Sequence, residues 1–430
     1  MAKRPNATDK LAVLGGKPLI PKNTWKNWPP ITAGDKKAVL KVMDREVFWG
    51  NRVEVPKFNQ EWSRYAGLKH TIMTNSGTAA LHMAVAAAGI GPGDEVISTP
   101  YTWTSSATCI LHHNAIPVFA DIEPKTFAID PAEMEKKITP RTKALLPVHI
   151  HGFPANMTAI MKLAKKHNLV VIEDCCQAHG SEYKGRKVGT FGHIAAFSLN
   201  GNKMLPGGEG GMVSTNDDKL HAEALRVHQF GETHDAKGRR DYNAATMGWM
   251  YRTTELNAAF ARTQLRRFPS YLAKTQDNAR YLTDKLAQFK GIRPPVEPKG
   301  YAHNFYAYPI QFNAAKAGLD VPDSVFRDKV RDALIAEGVP IGGMPARNLP
   351  AMTLFQDRSG YGKGCPWSCP FGKGDRVTYC VDDYPNMVDS LNSLTSIGQQ
   401  LRPPHGKKEM DLIVAAFAKV FGQLDKVMES

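Results

Sequence analysis

Lys203 has the most distinctive surroundings of the possible nucleophiles in this chain. It lies in a polar loop of the segment 196–211, AFSLNGNKMLPGGEGG, between an apolar run and a dense cluster of glycines. A lysine that is partly buried, or close to other cations, loses its proton more easily and can then attack a carbonyl carbon. The glycines would let the backbone pass close to a bound molecule. A solvated lysine in a flexible loop explains this segment equally well.

Asp174 ends the segment 170–174, VVIED, which is typical of a buried strand. A buried carboxylate is costly unless it faces a cation, and a protonated pyridine nitrogen would be such a cation. A cap for the turn that begins at Cys175 is the plainer interpretation. Gln177 and His179 follow closely enough to orient groups beside a ring.

Two further segments could bind parts of a cofactor. The segment 74–81, TNSGTAAL, places Gly77 and Thr78 where an apolar run changes into a helix, and free N–H groups at a helix start suit a phosphate dianion. Trp103 follows the next apolar run, where its ring could stack on a flat heterocycle. Considered singly, the first pattern is more often an ordinary helix cap and the second more often a core residue.

Together the four segments meet the needs of an enzyme that uses pyridoxal phosphate. Such an enzyme requires a lysine that forms a Schiff base, a carboxylate for the pyridine nitrogen, a phosphate cup and a flat group against the ring. The candidates occur in the order phosphate turn, aromatic ring, strand-end carboxylate and lysine. Each lies at a strand end or a helix start, where α/β folds bind ligands. The sequence therefore predicts a pyridoxal phosphate site centred on Lys203 and Asp174.

The spacing of the apolar runs predicts the elements that position these residues. From about residue 70, short apolar runs alternate with helical stretches, which indicates β-α-β units around a mostly parallel sheet. We predict an α/β protein with an N-terminal arm over 1–30 and a large cofactor-binding domain over 31–290, whose central sheet is flanked by helices. A smaller α+β domain is predicted over 291–430. Two helices, Leu256–Leu272 and Lys274–Phe289, are expected before it.

The composition is that of an ordinary globular protein. The chain has 430 residues, of which 42% are hydrophobic, and no apolar run is long enough to cross a bilayer. The net charge of +14 raises nucleic acid as a partner, but the basic residues are scattered among acidic ones, so we expect no such binding. Cys365 and Cys369 could begin a metal site, but no second pair has suitable spacing and we expect no metal. We expect a cytoplasmic protein with reduced cysteines and no membrane partner.

The chain resembles the DegT-type aminotransferases, the sugar and aminocyclitol branch of the fold-type I pyridoxal phosphate enzymes. The resemblance runs from about Leu11 to the C-terminus and rests on three motifs: Ser-Gly-Thr-Ala-Ala-Leu at 76–81, Glu-Asp at 173–174, and the segment 198–211 ending in Gly-Glu-Gly-Gly. It implies that Lys203 forms the Schiff base and that Asp174 pairs with the pyridine nitrogen. The other cofactor contacts that it implies are the phosphate ligands Gly77, Thr78 and Ser198, the stacking ring of Trp103, and Gln177 beside the ring hydroxyl.

The resemblance also implies a homodimer in which the partner subunit completes each active site. The matching segment here is 248–255, GWMYRTTE. Family members usually have asparagine in place of Met250, where it reaches the phosphate of the neighbouring site. Methionine cannot make that bond, so we expect Arg252, or another basic group, to compensate.

Fewer residues indicate the branch of the family. The segments 11–18, LAVLGGKP, and 103–121 look like members that aminate inososes, and the polar loop 200–202 replaces the histidine-containing loop of nucleotide-sugar members. We therefore expect amino transfer from glutamine or glutamate to a keto-cyclitol such as an inosose, or to a keto-sugar. A nucleotide-keto-sugar aminotransferase, a sugar dehydratase and a non-catalytic regulator are the alternatives. The candidate substrate contacts are Tyr101, His149, His151, Asn304, Tyr306 and Arg347.

Overall fold

The computed structural model describes residues 9–46, 50, 52–234, 239–343, 346–372 and 374–429. The first eight residues of the predicted arm, and most of a turn that the sequence predicts at 48–51, lie outside these residues. Within the described ranges, no helix combines the length and the apolar character needed to cross a membrane.

Helices and short strands alternate along most of the chain. The helices are α1 (Ala33–Met43), α2 (Glu54–Ala66), α3 (Gly77–Ala87), α4 (Ser105–Leu111), α5 (Pro131–Lys136), α6 (Met157–His167), α7 (Asp218–His228), α8 (Glu255–Leu286), α9 (Asp323–Ala336), α10 (Thr353–Gln356), α11 (Pro385–Ser393), α12 (Lys407–Phe421) and α13 (Leu424–Glu429). The strands are β1 (His70–Thr74), β2 (Glu95–Ser98), β3 (Tyr101–Thr102), β4 (Ile116–Phe119), β5 (Thr142–Leu146), β6 (Val170–Asp174), β7 (Glu182–Tyr183), β8 (Arg186–Lys187), β9 (Ile194–Ser198), β10 (Gly211–Thr215), β11 (Glu232–His234), β12 (Arg240–Ala244), β13 (Ile292–Arg293), β14 (Tyr301–Ala302), β15 (Tyr308–Phe312), β16 (Ile341–Gly342), β17 (Arg347–Asn348) and β18 (Leu394–Ile397).

A seven-stranded sheet forms the centre of the described part of the chain, in the order β1-β10-β9-β6-β5-β2-β4. The five neighbouring strands β9, β6, β5, β2 and β4 run parallel to one another, whereas β10 is antiparallel to both of its neighbours, β1 and β9. Every residue of β2, β4, β9 and β10 is buried, as expected for a sheet that is covered by helices on both faces. The predicted α/β class with a mostly parallel central sheet is confirmed.

The first β-α unit shows how the sequence places donors at the edge of this sheet. β1 ends at Thr74, and Ser76 caps α3 because its hydroxyl accepts the Ala79 N–H at 3.0 Å. α3 consists largely of buried small and apolar residues, so it packs closely against the sheet. The turn between β1 and α3 therefore presents the free N–H groups of a helix start at the end of a strand.

The prediction of two helices before residue 290 is wrong, because α8 is one helix of 32 residues. Pro269 lies inside it, but the buried residues Leu265, Phe268, Leu272 and Thr275 keep helical spacing across the expected break. The apolar stripe is continuous, so packing favours a single helix over a turn at this place.

A four-stranded antiparallel sheet, in the order β13-β15-β18-β16, forms a smaller second layer in the described part of the chain. Its core takes residues from both ends of the chain, since Leu11 and Ile20 pack in the same cluster as Leu282 of α8 and Phe417 of α12. The α+β character predicted for the C-terminal part is therefore confirmed.

Two segments connect the small layer with the large one. Ala258 and Phe268 of α8 belong to the core beneath α2, whereas Leu282 belongs to the core of the small sheet. Trp367 and Tyr379, from the segment between β17 and β18, pack into the core of the large sheet, where the Tyr379 hydroxyl donates to a backbone carbonyl of β4 at 2.8 Å. Residues from both layers can therefore meet at one site.

Candidate active site

A cavity of about 420 Å³ lies at the carboxyl ends of the parallel strands. It is lined by seven of the eight residues predicted to act in catalysis or cofactor binding, and by two of the candidate substrate contacts. This size suits a small-molecule ligand. The predicted residues that line the cavity are Gly77, Thr78, Trp103, Asp174, Gln177, Ser198, Lys203, Tyr306 and Arg347.

Asp174 ends β6 and is nearly buried, with 3% of its surface exposed. One carboxylate oxygen accepts the Ser106 hydroxyl at 2.7 Å, and the other accepts the Cys176 N–H at 3.0 Å. These donors are neutral and fix the orientation of the carboxylate without neutralising its charge. A cation that enters the cavity would therefore meet a prepared anion.

The turn at Gly77 packs directly against Ser198 at the end of β9. A Cβ atom at position 77 would lie 2.7 Å from the Ser198 Cβ and 3.2 Å from the Cys176 sulfur, so only glycine fits. A Cβ atom on Gly211 would likewise collide with the carbonyl oxygen of Ser76. These close approaches bring the start of α3 and the Ser198 hydroxyl to one wall, as a phosphate cup requires.

Hydroxyl groups extend this wall along the cavity. Thr78 is exposed, and its hydroxyl lies 2.8 Å from the hydroxyl of Ser105 at the start of α4. Both residues line the cavity together with Ser198. An anion at the helix start would therefore find hydroxyl donors in addition to backbone N–H groups.

Lys203 lies in a turn that its own neighbours hold in place. Its N–H donates to the Asn200 carbonyl at 2.9 Å, and the Asn200 side chain donates to the Glu209 carboxylate at 2.6 Å, which joins the two sides of the loop. Asn257, near the start of α8, donates to the Glu209 carbonyl at 2.8 Å. Gly208 has a φ of +85°, a conformation that favours glycine.

The Lys203 amine donates to the Tyr306 hydroxyl at 3.3 Å and lies 4.7 Å from the centre of the Tyr306 ring. The hydrogen bond holds the amine at the hydroxyl, and the ring adds a second attraction because a cation is drawn to an aromatic face. Lys203 is half-buried and lines the same cavity as Asp174. The structure thus brings together the amine and the carboxylate that the sequence singles out, and their catalytic roles stay a prediction.

Trp103 and Arg347 form the exposed rim of the cavity. Trp103 follows β3 and is 52% exposed, which is high for so large an aromatic side chain. β17 pairs with β3 and places Arg347 opposite Thr102, so the guanidinium lies 5.5 Å from the centre of the Trp103 ring. Cation and ring stabilise each other at the entrance.

Gln177 lines the cavity, whereas Asn304 lies behind its wall. The Gln177 side-chain carbonyl accepts the His151 N–H at 2.7 Å. The Asn304 amide donates to the carbonyls of Gln177 and His179 at 3.0 Å each, and its own side-chain carbonyl accepts the Tyr306 N–H at 2.8 Å. Asn304 therefore supports two residues of the wall and is not placed to contact a substrate.

Tyr101, His149 and His151 also lie outside the lining of the cavity. His149 is fully buried, with one ring nitrogen 3.0 Å from the Glu173 carboxylate and the other accepting the Ala155 N–H at 3.0 Å. His151 packs edge-on against Tyr101, with ring centres 5.6 Å apart, and burial lowers the pKa of His151 to about 3. The structure does not bring these three side chains to the cavity.

Arg252 is the one predicted cofactor ligand that does not line this cavity. Its guanidinium lies 5.9 Å from the ring centre of Phe230. The adjoining backbone is tied to the turn that contains Gly77, because the Asn75 N–H donates to the Tyr251 carbonyl at 2.9 Å, and the nearby Met250 side chain is 51% exposed. The segment 248–255 therefore lies beside the turn and contributes nothing to the cavity of its own chain.

Several lining residues were not predicted. Ser106 orients Asp174, and Ser105 contacts Thr78. Three consecutive hydroxyl residues directly after Trp103, at 104–106, were the available signal, because hydroxyls at the start of a helix next to a site can orient ligands and carboxylates. Asn200, Asn202 and Glu209 line the cavity as well.

One group of side chains in the described ranges has possible metal ligands close together: His149, Glu173 and Cys175. All three are buried, and the Glu173 carboxylate already accepts three backbone N–H groups from residues 189–192 at 2.5 to 2.8 Å. Hydrogen bonding thus explains the group without a metal. The Cys365 thiol donates to the side chain of Asn114 at 3.6 Å.

Similarity to known proteins agrees with this geometry. The model of the DegT/DnrJ/EryC1/StrS aminotransferase family matches residues 29–364. The chain is 35% identical over 353 residues to the L-glutamine:2-deoxy-scyllo-inosose aminotransferase of Streptomyces kanamyceticus, covering 78% of this chain and 81% of that protein. It is 38% identical over 318 residues to the GDP-perosamine synthase of Caulobacter vibrioides, covering 73% and 82%.

The fold is also found among solved structures. The aminotransferase from Psychrobacter cryohalolentis superposes with a TM-score of 0.81 at 30% identity, over 93% of this chain and 100% of that one. The family match includes the Gly77 turn, Asp174 and Lys203 and spans most of the sequence, so the resemblance inferred from the motifs is confirmed. The chain therefore belongs to the DegT/DnrJ/EryC1/StrS aminotransferase family and is an aminotransferase.

Proposed function

We propose that the chain transfers an amino group from glutamine or glutamate to the ring ketone of a cyclitol such as an inosose, or of a keto-sugar, with pyridoxal phosphate as cofactor. The observation that carries this proposal is the placement of the Lys203 amine and the Asp174 carboxylate on one cavity, beside the Gly77 turn. The names of the relatives support the substrate classes, since one is a glutamine:inosose aminotransferase and another a GDP-perosamine synthase.

The cavity fits a flat, phosphorylated pyridine. The start of α3 and the Thr78 and Ser198 hydroxyls offer donors to a phosphate, and Trp103 exposes a ring for stacking. Asp174 is buried and held by neutral donors, so a pyridinium would supply the cation that a buried carboxylate needs. Bound there, the cofactor would supply an aldehyde and an electron-withdrawing ring that carries the amino group from donor to acceptor.

The side chains have separate tasks in this proposal. Lys203 would supply the amine that joins the cofactor and, when free, the base that moves the proton of the donor's α-carbon. Tyr306 can hold that amine in either protonation state, because a hydroxyl both donates and accepts. Asp174 would hold a protonated pyridine nitrogen, and Ser106 and the Cys176 N–H hold the carboxylate in place.

A half-reaction screen tests this proposal. We expect glutamine or glutamate to convert the bound cofactor to its amine form, seen as a change in absorbance, and alanine to do so at least about tenfold more slowly. An inosose or a free keto-sugar should then restore the original spectrum. If a nucleotide-linked keto-sugar restores it faster, the activity is that of the nucleotide-sugar branch. If no amino donor changes the spectrum, the proposal fails.

We also propose that two copies form a dimer with shared active sites, in which Arg252 reaches the phosphate cup of the partner. Several large apolar side chains in and near the segment 248–255 are exposed in the single chain, and a concentration of exposed apolar surface is typical of an interface. These side chains are Phe230, Tyr242, Met247 and Met250, exposed by 41%, 75%, 72% and 51%.

Light scattering tests the dimer. The parent protein should have twice the chain mass of 47.4 kDa, and Met247→Asp should lower that mass because it places a charge in the apolar patch. Ile335→Asp is the control, since Ile335 is 49% exposed on α9 in another part of the chain. A parent protein that is a monomer at assay concentration would contradict the proposal.

The proposed compartment is the cytoplasm. The structure has no disulfide among its six cysteines, which fits a reducing environment. Cell fractionation checks this, because recovery of the protein outside the cytoplasm would contradict it. The cysteines are Cys109, Cys175, Cys176, Cys365, Cys369 and Cys380.

A further inference from the structure

Two consecutive peptide carbonyls in the Lys203 loop accept hydrogen bonds from distant parts of the chain. The indole N–H of Trp28, in the N-terminal arm, donates to the Lys203 carbonyl at 2.9 Å. The Arg402 guanidinium, between β18 and α12, donates to the Asn202 carbonyl at 2.7 Å and to the Tyr306 carbonyl at 2.9 Å. The loop that carries the amine is therefore held from outside at two adjacent peptide groups.

The charged side chain of Arg402 is unusually well buried, because only 1% of the residue's surface is exposed. The acceptors of its guanidinium are the two carbonyls just named, and its Nε has no hydrogen-bond partner among the described residues. Burial lowers the pKa of Arg402 to about 10. A buried cation held by carbonyl dipoles is costly, and an apolar side chain of similar size would serve packing at lower cost.

Trp28, Arg402 and Tyr306 pack against one another beside Lys203. The Arg402 guanidinium lies 5.1 Å from the ring centre of Trp28 and 5.4 Å from that of Tyr306. Tyr306 in turn accepts a hydrogen bond from the Lys203 amine. Arg402 thus contacts both the residue that holds the Lys203 backbone and the residue that holds its side chain.

We propose that Trp28 and Arg402 are positioning residues that hold the Lys203 amine in the cavity, Trp28 through the Lys203 carbonyl and Arg402 through Asn202 and Tyr306. This inference rests on the proposed role of Lys203 as the amine that joins the cofactor. Trp28 and Arg402 do not line the cavity, so they act through other residues. Loss of either contact lets the amine leave its reactive position for part of the time, which slows its attack on an aldehyde.

Trp28→Phe tests the first contact, with Trp25→Phe as its matched control. Trp25 lies in the same arm, and its indole donates to the Gly338 carbonyl at 2.9 Å. The proteins are mixed with pyridoxal phosphate, borohydride is added at intervals, and mass spectrometry gives the fraction modified at Lys203. We expect modification of Trp28→Phe to be about tenfold slower than that of the parent, and modification of Trp25→Phe to stay within about twofold.

Hydrogen exchange of the cofactor-free proteins gives a readout that does not depend on a loaded enzyme. Amides in the loop 199–206 should exchange faster in Trp28→Phe and at the parent rate in Trp25→Phe, because the Trp28 indole bonds to this loop whereas the Trp25 indole bonds to Gly338. In turnover assays, kcat should fall in Trp28→Phe while KM for the amino donor stays within about twofold, since the substrate contacts are unchanged.

Two substitutions test Arg402. Arg402→Met keeps an apolar stem and should slow modification of Lys203 about tenfold, whereas Arg402→Lys keeps one donor and should fall between Met and the parent. If Arg402→Met does not fold, the comparison of Trp28→Phe with Trp25→Phe decides whether the loop contacts position the Lys203 amine. Parent rates of modification in Trp28→Phe and in every folded Arg402 variant would overturn the positioning role and leave the proposed function intact. A parent protein that is not modified at Lys203 would overturn both.

Discussion

Lys203→Ala is expected to lower amino transfer by about 10⁴-fold or more, to the background of the assay. The substitution removes both the nucleophile that joins the cofactor and the base that moves the substrate proton, and the two losses fall on the same reaction. Turnover is measured with the preferred donor and ketone from the half-reaction screen. Borohydride should add the mass of the cofactor to the parent protein at Lys203 and should leave the mass of the variant unchanged.

Lys187→Ala is the matched control. The Lys187 amine lies 5.0 Å from the centre of the Tyr65 ring, outside the cavity. Lys187→Ala therefore also removes a lysine amine that lies against a tyrosine ring. Its turnover should stay within about twofold of the parent, as is usual for surface substitutions. If Lys203→Ala keeps a tenth or more of the parent turnover, Lys203 is not the essential amine.

Asp174→Asn is expected to lower kcat by about 10²- to 10³-fold, the loss seen when one preorganised electrostatic contact is removed from a reacting group. The amide has the size of the carboxylate but carries no charge, so the pyridine nitrogen loses its partner. Cofactor retention should also weaken, because a buried cation would then face a neutral group. Gel filtration followed by absorbance of the protein fraction measures retention, and steady-state kinetics measures kcat.

Asp121→Asn separates this effect from a general loss of stability. Asp121 is also buried, at 4% exposure, and its carboxylate accepts the N–H groups of Asn386 and Met387 at 2.8 and 3.0 Å, outside the cavity. We expect a lower Tm with normal cofactor retention, because only a structural hydrogen-bond network is weakened. Full turnover in Asp174→Asn, with a lower Tm as its sole defect, would make Asp174 structural too.

Several of the predicted site residues could be identified from the sequence for the same reason: they lie at or just after the ends of strands. Asp174 and Ser198 end the parallel strands β6 and β9, and the Gly77 turn follows β1. β1 is antiparallel to β10, which is antiparallel to β9, so β1 has the same direction as the parallel strands. Strand ends are visible in the apolar pattern, and parallel strands collect their carboxyl ends at one edge. These residues could therefore be brought together without a structure.

The remaining residues depend on contacts between distant parts of the chain. The hydroxyl residues after Trp103 can be noticed in the sequence, but the bond from Ser106 to Asp174 and the bond from Trp28 to Lys203 are visible only in the fold. His149 and Asn304 have suitable chemistry for a substrate site, but neighbouring groups already occupy their polar atoms. Residue type indicates what a side chain can do, whereas only the fold shows which of its atoms are already used.

The pairing of β1 with β10 bears on when this site can form during protein synthesis. Thr74 pairs with Gly211 and His70 with Thr215, so β1 must wait for a strand made much later. Contacts between such distant segments form slowly and only after the intervening chain has emerged. A nascent chain that stops short of β10 would lack the strand that packs against the Gly77 turn, so binding of the proposed cofactor would have to wait until at least half of the 430 residues have been made.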